Sequence, residues 1–183
     1  MSKQIKWDPS FAPSYTPEEM LRAGVFEGKY INALDGLPGY WYQIPKVLKK
    51  TDEPNPDLNK YGIKSRQPLS VWKENGWLTK HSPYGWFGWY CLYYLGRRIK
   101  EEDDWQIKRW RSFVARHQGQ ITASGHLKDQ SKRTRQRQAL LQWAWDSSLE
   151  FNDANLKKNL TKLKPKLSKG TSLTLESRLT QEW

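Results

Sequence analysis

The sequence predicts a mainly α-helical fold of about five helices. Three observations support this class: helix-start signals recur along the chain, apolar residues recur at helical spacing in two stretches, and alternating strand patterns are scarce. A chain of 183 residues is expected to form one domain. We predict an extended arm over residues 1–14, a helical aromatic-rich domain over 15–150, and a basic flexible tail over 151–183.

The first helix is predicted from a capping box. Thr16 is placed to cap the helix, Pro17 suits its first position, and Glu19 completes the box. Gly24 is the expected stop signal.

A Gly- and Pro-rich segment, residues 24–64, follows and is predicted to be irregular. At most one or two short strands are expected in it, near Tyr40–Ile44. A second short helix is predicted after Pro68, ending at Asn75 and Gly76.

The third helix is predicted to begin at Ser82 and Pro83 and to end at Gly96. Its body, residues 84–94, is aromatic on almost every side. A helix that is apolar all round is normally buried, so this segment is predicted to be the centre of the core and Cys91 an inert core residue. A stacking platform for bases is the alternative.

The fourth and fifth helices are predicted over residues 102–118 and 132–145. Four acidic residues, 101–104, lie at the start of the fourth helix, where the helix dipole favours carboxylates. Ile107, Trp110 and Val114 form its inner stripe. The tail shows no sustained period and contains Pro165 and Gly170, which predicts flexibility.

Charge narrows the class of partner. The chain has 31 basic and 19 acidic residues, a formal net charge of +12. Such an excess favours an anionic partner, most often nucleic acid. No apolar run is long enough to span a bilayer and no signal peptide is visible, so no membrane partner and an intracellular location are expected.

Cofactor and metal signatures are missing from the sequence. There is no GxxxxGK phosphate loop and no GxGxxG fingerprint, and one Cys with three scattered His gives no zinc spacing. We therefore expect no cofactor and no metal.

The first basic cluster lies at the start of the fifth helix. Cations at a helix N-terminus oppose the dipole, so a compensating anion such as phosphate is expected there. A solvated basic face is the alternative. The candidate nucleic-acid contacts are Lys132, Arg133, Arg135, Arg137 and Gln138.

A second group of cations surrounds the fourth helix. Guanidinium groups bind phosphate in a bidentate manner and stack on aromatic rings, which favours a nucleic-acid role. We also expect a carboxylate partner for at least one of Arg97, Arg98 and Arg109. The candidate contacts are Arg97, Arg98, Lys108, Arg109, Arg111 and Arg116.

Three functions are compatible with these features. The leading hypothesis is a nucleic-acid-binding protein, DNA favoured over RNA because no RNA-binding module is visible. The second is an enzyme that flips a base into an aromatic pocket or cleaves a phosphodiester, with His117, Asp104 and Asp146 as weak catalytic candidates. The third is a module that binds an acidic protein surface. The oligomeric state is not predicted.

Several sequence blocks together carry a resemblance. They are GWFGWYCLYYLGRR at 85–98, EEDDWQIKRW at 101–110, and RTRQRQALLQWAW at 133–145, with the pairs Arg116-His117 and Gln120-Ile121. The chain resembles a family of small hypothetical proteins found in fungi, bacteria and large DNA viruses. The resemblance covers roughly residues 15–146 and implies that they form one complete domain. It implies no activity and carries over no functional residue.

Overall fold

The computed structural model describes residues 6–179, with side chains described up to residue 167. No strand occurs in that range, so the mainly α-helical class is confirmed. Three 3₁₀ helices cover residues 31–33, 39–43 and 56–58. The α-helices are α1 (Pro17–Arg22), α2 (Leu69–Glu74), α3 (Trp86–Tyr94), α4 (Lys100–Ala123), α5 (Thr134–Gln142) and α6 (Asp153–Leu179).

Helix α1 begins with the predicted capping box. The Glu19 backbone N–H donates to Thr16 Oγ1 at 3.2 Å, and the Thr16 N–H donates to Glu19 Oε2 at 2.8 Å. For the irregular segment after α1, short strands near Tyr40–Ile44 were predicted. This prediction is wrong, because the chain forms the 3₁₀ helix Gly39–Gln43 there. Trp41 is the buried residue of this helix, and the buried Ile44 directly follows it; their spacing of three suits a 3₁₀ turn rather than strand alternation.

Helix α3 forms the centre of the core, as predicted. Trp89, Tyr90 and Cys91 are fully buried, and burial raises the pKa of the Cys91 thiol well above its ordinary value. The predicted start at Ser82 is wrong by about one turn. Gly85 has a φ of +87°, which interrupts the helical path before Trp86, and Ser82 instead closes a turn with Thr79.

Helix α4 is longer than predicted and packs beside α3. Its inner stripe of Ile107, Trp110 and Val114 is buried, as expected. The buried Asp103 carboxylate accepts hydrogen bonds from Trp89 Nε1 and from the Ile99 backbone N–H, both at 2.9 Å. The acidic start of α4 therefore fastens it to α3 as well as suiting the helix dipole. Helix α5 is shorter than predicted at both ends.

The segment after residue 150 corrects the prediction of an aperiodic tail. Leu156 and Leu163 of α6 are buried, and Asn159 Nδ2 donates to the Ala12 carbonyl at 3.1 Å. Leu156, Leu160 and Leu163 share one helix face, a spacing that the sequence contains. The rest of the predicted flexible tail concerns side chains after residue 167 and residues 180–183, which lie outside the described part of the chain.

The N-terminal arm has no helix or strand in residues 6–14, and residues 1–5 of the prediction lie outside the described range. The arm is not a free extension, because Phe11 and Ala12 are fully buried in the core. None of the helices between residues 6 and 179 is both long and apolar enough to cross a bilayer.

Candidate functional site

A cavity of about 830 Å³ lies between the outer side of α4 and the helices around it. Its volume is within the 300–1,000 Å³ typical of small-molecule and cofactor pockets. The start of α3 and the end of α5 contribute to its wall, as do residues 26–33 and the segment around α2.

One face of α4 lines the cavity. The lining positions are 105, 108, 109, 112, 113 and 116, which repeat at the three- and four-residue spacing of a helix face. This face lies beside the buried stripe of the same helix, so α4 covers the core with one side and supplies the cavity with another.

Stacked aromatic rings form the inner wall. Phe113 and Trp143 stack with ring centroids 4.6 Å apart and planes 15° apart, and Trp143 also packs against Trp86 at 5.0 Å. Phe26 and Phe87 meet on the other side at 4.4 Å. Ring pairs of this kind hold each other in place, so the cavity presents pre-ordered apolar surfaces.

The segment around α2 supplies the outer wall. No residue of α2 is buried. Leu69, its first residue, and Trp77, which follows the helix, both line the cavity and are 47% and 40% exposed. Trp72 packs directly on Gly85, where a Cβ would lie 2.8 Å from the Trp72 ring. Gly85 therefore permits both the start of α3 and the position of this wall.

The charged lining residues are all cationic. They are Lys29, Arg66, Lys108, Arg109 and Arg116, and no Asp or Glu lines the cavity. Within the described part of the chain, none of the five takes part in an ion pair.

Arg109 is half-buried, whereas Arg66, Lys108 and Arg116 are exposed. The Arg109 guanidinium lies 4.5 Å from the centroid of the Trp105 ring and donates to Gln106 Oε1 at 2.9 Å. Burial lowers the pKa of Arg109 from its ordinary value. Stacking on an indole holds the guanidinium flat and leaves donors free for an anion.

Arg137 does not contact solvent, so its predicted phosphate contact is wrong. It is fully buried, and its guanidinium donates to the carbonyls of Ser147 at 3.0 Å and of Asp129 at 3.1 Å. Gln138 is also buried and donates to the Val25 carbonyl at 2.9 Å. Both side chains fasten α5 to neighbouring loops instead of reaching a ligand.

The other cations of this cluster are exposed. Lys132, Arg133 and Arg135 precede or begin α5, and Arg133 has a φ of +55° at the N-cap. Arg135 lies four residues before Ala139 and seven before Gln142, and both of these line the cavity. By helical spacing Arg135 therefore extends the cavity-lining face of α5 outward.

Hydrogen bonds connect the start of α5 to the Arg116 end of α4. Arg133 Nη1 donates to Gln136 Oε1 at 3.1 Å, and Gln136 Nε2 lies 3.0 Å from His117 Nδ1. His117 directly follows Arg116. The exposed cations of α5 and the cationic lining of the cavity thus belong to one continuous surface.

Three predicted contacts have structural partners instead. Arg97 Nη1 donates to the His81 carbonyl at 2.7 Å, and Arg98 lies 3.7 Å from the Tyr93 ring centroid and donates to the Tyr93 carbonyl at 2.6 Å. Arg111 Nη1 donates to the Ser10 carbonyl at 2.9 Å. These side chains join the arm and turns to the core. No described ion pair joins Arg97, Arg98 or Arg109 to a carboxylate, although such a partner was expected for at least one of them. Burial lowers the pKa of Arg97 and Arg98, and the nearby Asp103 carboxylate offsets part of this lowering.

The three weak catalytic candidates do not converge. Asp104 pairs with Lys100 at 2.6 Å, and Asp146 Oδ1 accepts hydrogen bonds from Ser148 in a turn. Asp104 and His117 lie thirteen residues apart on α4, roughly 20 Å along its axis. None of the three lines the cavity, and the described residues contain no cluster suited to a metal ion.

Sequence reasoning missed much of the site. The cavity uses Lys29, Arg66, Trp77 and Trp105, none of which was a candidate. The three- and four-residue spacing of the α4 positions from Trp105 to Arg116 is present in the sequence and could have indicated that they share one helix face. Comparisons with protein-family models, curated proteins and solved structures found no match.

Proposed function

We propose that this chain binds nucleic acid, DNA in preference to RNA, through one cationic surface. We call this surface the cationic track. It consists of Arg66, Lys108, Arg109, Arg116, Lys132, Arg133 and Arg135.

The observation that carries the proposal is that the cavity lined by Arg66, Lys108, Arg109 and Arg116 has no Asp or Glu in its lining. None of its seven members takes part in an ion pair within the described part of the chain. Exposed cations that only solubilise a protein are commonly interspersed with acids. A run of unpaired cations, five of them arginines, is instead suited to successive phosphates.

The preference for DNA rests on the type of fold. Two common single-stranded RNA modules, the RRM and the OB-fold, present bases on a β-sheet or a β-barrel. The described residues form no strand, so no surface of that kind is available in them.

A salt titration tests the proposal. Full-length protein is titrated with labelled DNA at several salt concentrations, and the same is done with the double variant Arg133→Glu/Arg135→Glu. Each lost phosphate contact lowers the slope of log K against log salt by roughly 0.9 for duplex DNA, so we expect a drop of about 2. The structure predicts little change in unfolding free energy, because both side chains are exposed.

The matched control is Lys157→Glu/Lys158→Glu, which makes the same change in net charge on exposed positions of α6. Equal losses in the two double variants would mean that only net charge matters. Absence of salt-dependent binding by the intact chain would contradict the proposal and favour an acidic protein partner. An RNA of the same sequence, used as competitor, tests the DNA preference.

A further inference from the structure

The lining of the aromatic cavity restricts which ligands it can bind. Ten of the lining residues are aromatic, and the charged ones are all cationic. An aromatic cage for a cation is excluded, because five positive charges would repel it. The ligand must combine a flat or apolar group with negative charge.

The position of the cations indicates that the ligand continues beyond the cavity. Lys108, Arg109 and Arg116 line it, and Arg135 lies one helical turn outside it on the lining face of α5. A small anion would need cations only at the opening. A polyanion that inserts one flat group into the cavity would need cations at the opening and also along the surface that the rest of the polyanion follows.

Polar groups are few and lie among the aromatic rings. Gln142 Nε2 donates to Ser65 Oγ at 2.9 Å, and Gln67 and Ser112 also line the cavity. Amide and hydroxyl groups can donate to and accept from the edge of a base. Stacking surfaces with a few polar groups are the features that proteins use to hold an unstacked base.

We propose that the cavity takes one unpaired nucleobase, with the flanking phosphates bound by Lys108, Arg109, Arg116 and Arg135. This inference rests on the proposed nucleic-acid binding and names the part of the strand that enters the site. A base inside an intact duplex is paired and stacked, so the chain should bind single strands, bulges and mismatches more tightly than paired DNA.

The first test uses full-length protein and short DNA duplexes that differ in one position. One duplex carries a single bulged 2-aminopurine, and the other has the same sequence with the 2-aminopurine paired. We expect the bulged duplex to bind at least about 10-fold more tightly, since extruding a paired base costs a few kcal/mol. Stacking on the aromatic wall should quench 2-aminopurine fluorescence in the complex.

The second test removes one ring from the opening of the cavity. Trp77→Ala, with Trp105→Ala as an independent variant, should weaken binding of the bulged duplex by about 5- to 150-fold, the range for one stacked base. For Trp77→Ala the salt slope should not change, because no charge is removed. Trp105→Ala also releases Arg109, which stacks on this indole, so its slope should fall by at most the roughly 0.9 of one phosphate contact. Both indoles are at least 36% exposed, so the fold should tolerate either change.

Tyr40→Ala is the matched control, because Tyr40 is an equally exposed aromatic residue that does not line the cavity. If the Trp variants lose no more affinity than this control, or the two duplexes bind equally, the cavity inference is overturned. Nucleic-acid binding itself would still stand if binding weakened with salt and with reversal of Arg133 and Arg135. If no DNA binds under any salt condition, the proposed function fails and this inference fails with it.

Discussion

Two arginines of α5, Arg135 and Arg137, are expected to differ in their response to the same substitution. Replacing Arg137 should lower the unfolding free energy, whereas replacing Arg135 should weaken DNA binding. Arg137 is fully buried, and its Nε donates to the Lys132 carbonyl at 2.8 Å while Nη1 reaches Ser147 Oγ at 2.9 Å. Further carbonyls, those of Ser147, Asp129 and His126, accept from the same guanidinium. Arg135 is exposed on the cationic track.

The magnitude for Arg137→Met follows from these contacts. A hydrogen bond to a charged group contributes about 1.5–3 kcal/mol, but bonds of one guanidinium are not additive, and removing a buried charge offsets part of the loss. We take about 3–5 kcal/mol, because several buried carbonyls lose their donor at about 1–3 kcal/mol each and the removal of the buried charge offsets part of that sum. Against a typical stability of about 5–15 kcal/mol, this is a large fraction. Arg135→Met should change the unfolding free energy by less than about 0.5 kcal/mol.

Urea unfolding measures the difference, with fluorescence of the 11 tryptophans as the signal. With an m-value of about 2–3 kcal/mol/M, Arg137→Met should lower the midpoint by about 1–2 M. Arg135→Met should keep the midpoint and weaken DNA binding. An unchanged midpoint for Arg137→Met would refute the reasoning that this guanidinium holds the loops around α5 together.

Two further perturbations test the contact between α4 and α5 and the contribution of α6. Burial lowers the pKa of His117, so the folded state binds fewer protons than the unfolded state near and below about pH 6.5. The unfolding free energy should therefore fall as the pH drops through this range. Urea unfolding at a series of pH values measures this dependence, and His117→Gln should make it weaker. A chain that ends after Glu150 loses the buried Leu156 and Leu163, each contributing about 1.5–3 kcal/mol, and should unfold at lower urea than a chain that ends after residue 167. Equal midpoints for the two truncations would show that α6 contributes nothing to stability.

Local signals explain which elements could be predicted from the sequence. The box of Thr16 and Glu19 depends on residues three apart, and the stripe of Ile107, Trp110 and Val114 on a single helix, so both were predictable. The helical spacing of the leucines in α6 was equally local and was overlooked. The tertiary position of α6 was not local, because Asn159 meets Ala12 across 147 residues.

The site shows the same division between local and long-range information. Exposed Arg135 and buried Arg137 have the same side chain and nearly the same neighbours in sequence. What separates them are the two loops around Asp129 and Ser147, one before and one after α5 in the chain, whose carbonyls accept hydrogen bonds from Arg137. Arg66 and Trp77 come from a segment that meets α4 only in the tertiary structure. No pattern within the segment itself indicates that encounter.

The bond between Asn159 and the arm has a consequence for how the chain folds. The Ser14 N–H also donates to the Ala144 carbonyl at 2.7 Å, so the arm is held by residues that follow it by more than a hundred positions. During synthesis, residues 6–14 leave the ribosome well before their partners in α6. Phe11 packs on Trp89 of α3 and Trp110 of α4, so its burial also waits for contacts of high contact order, which slow folding. Until then the nascent chain exposes aromatic surface that a chaperone could hold.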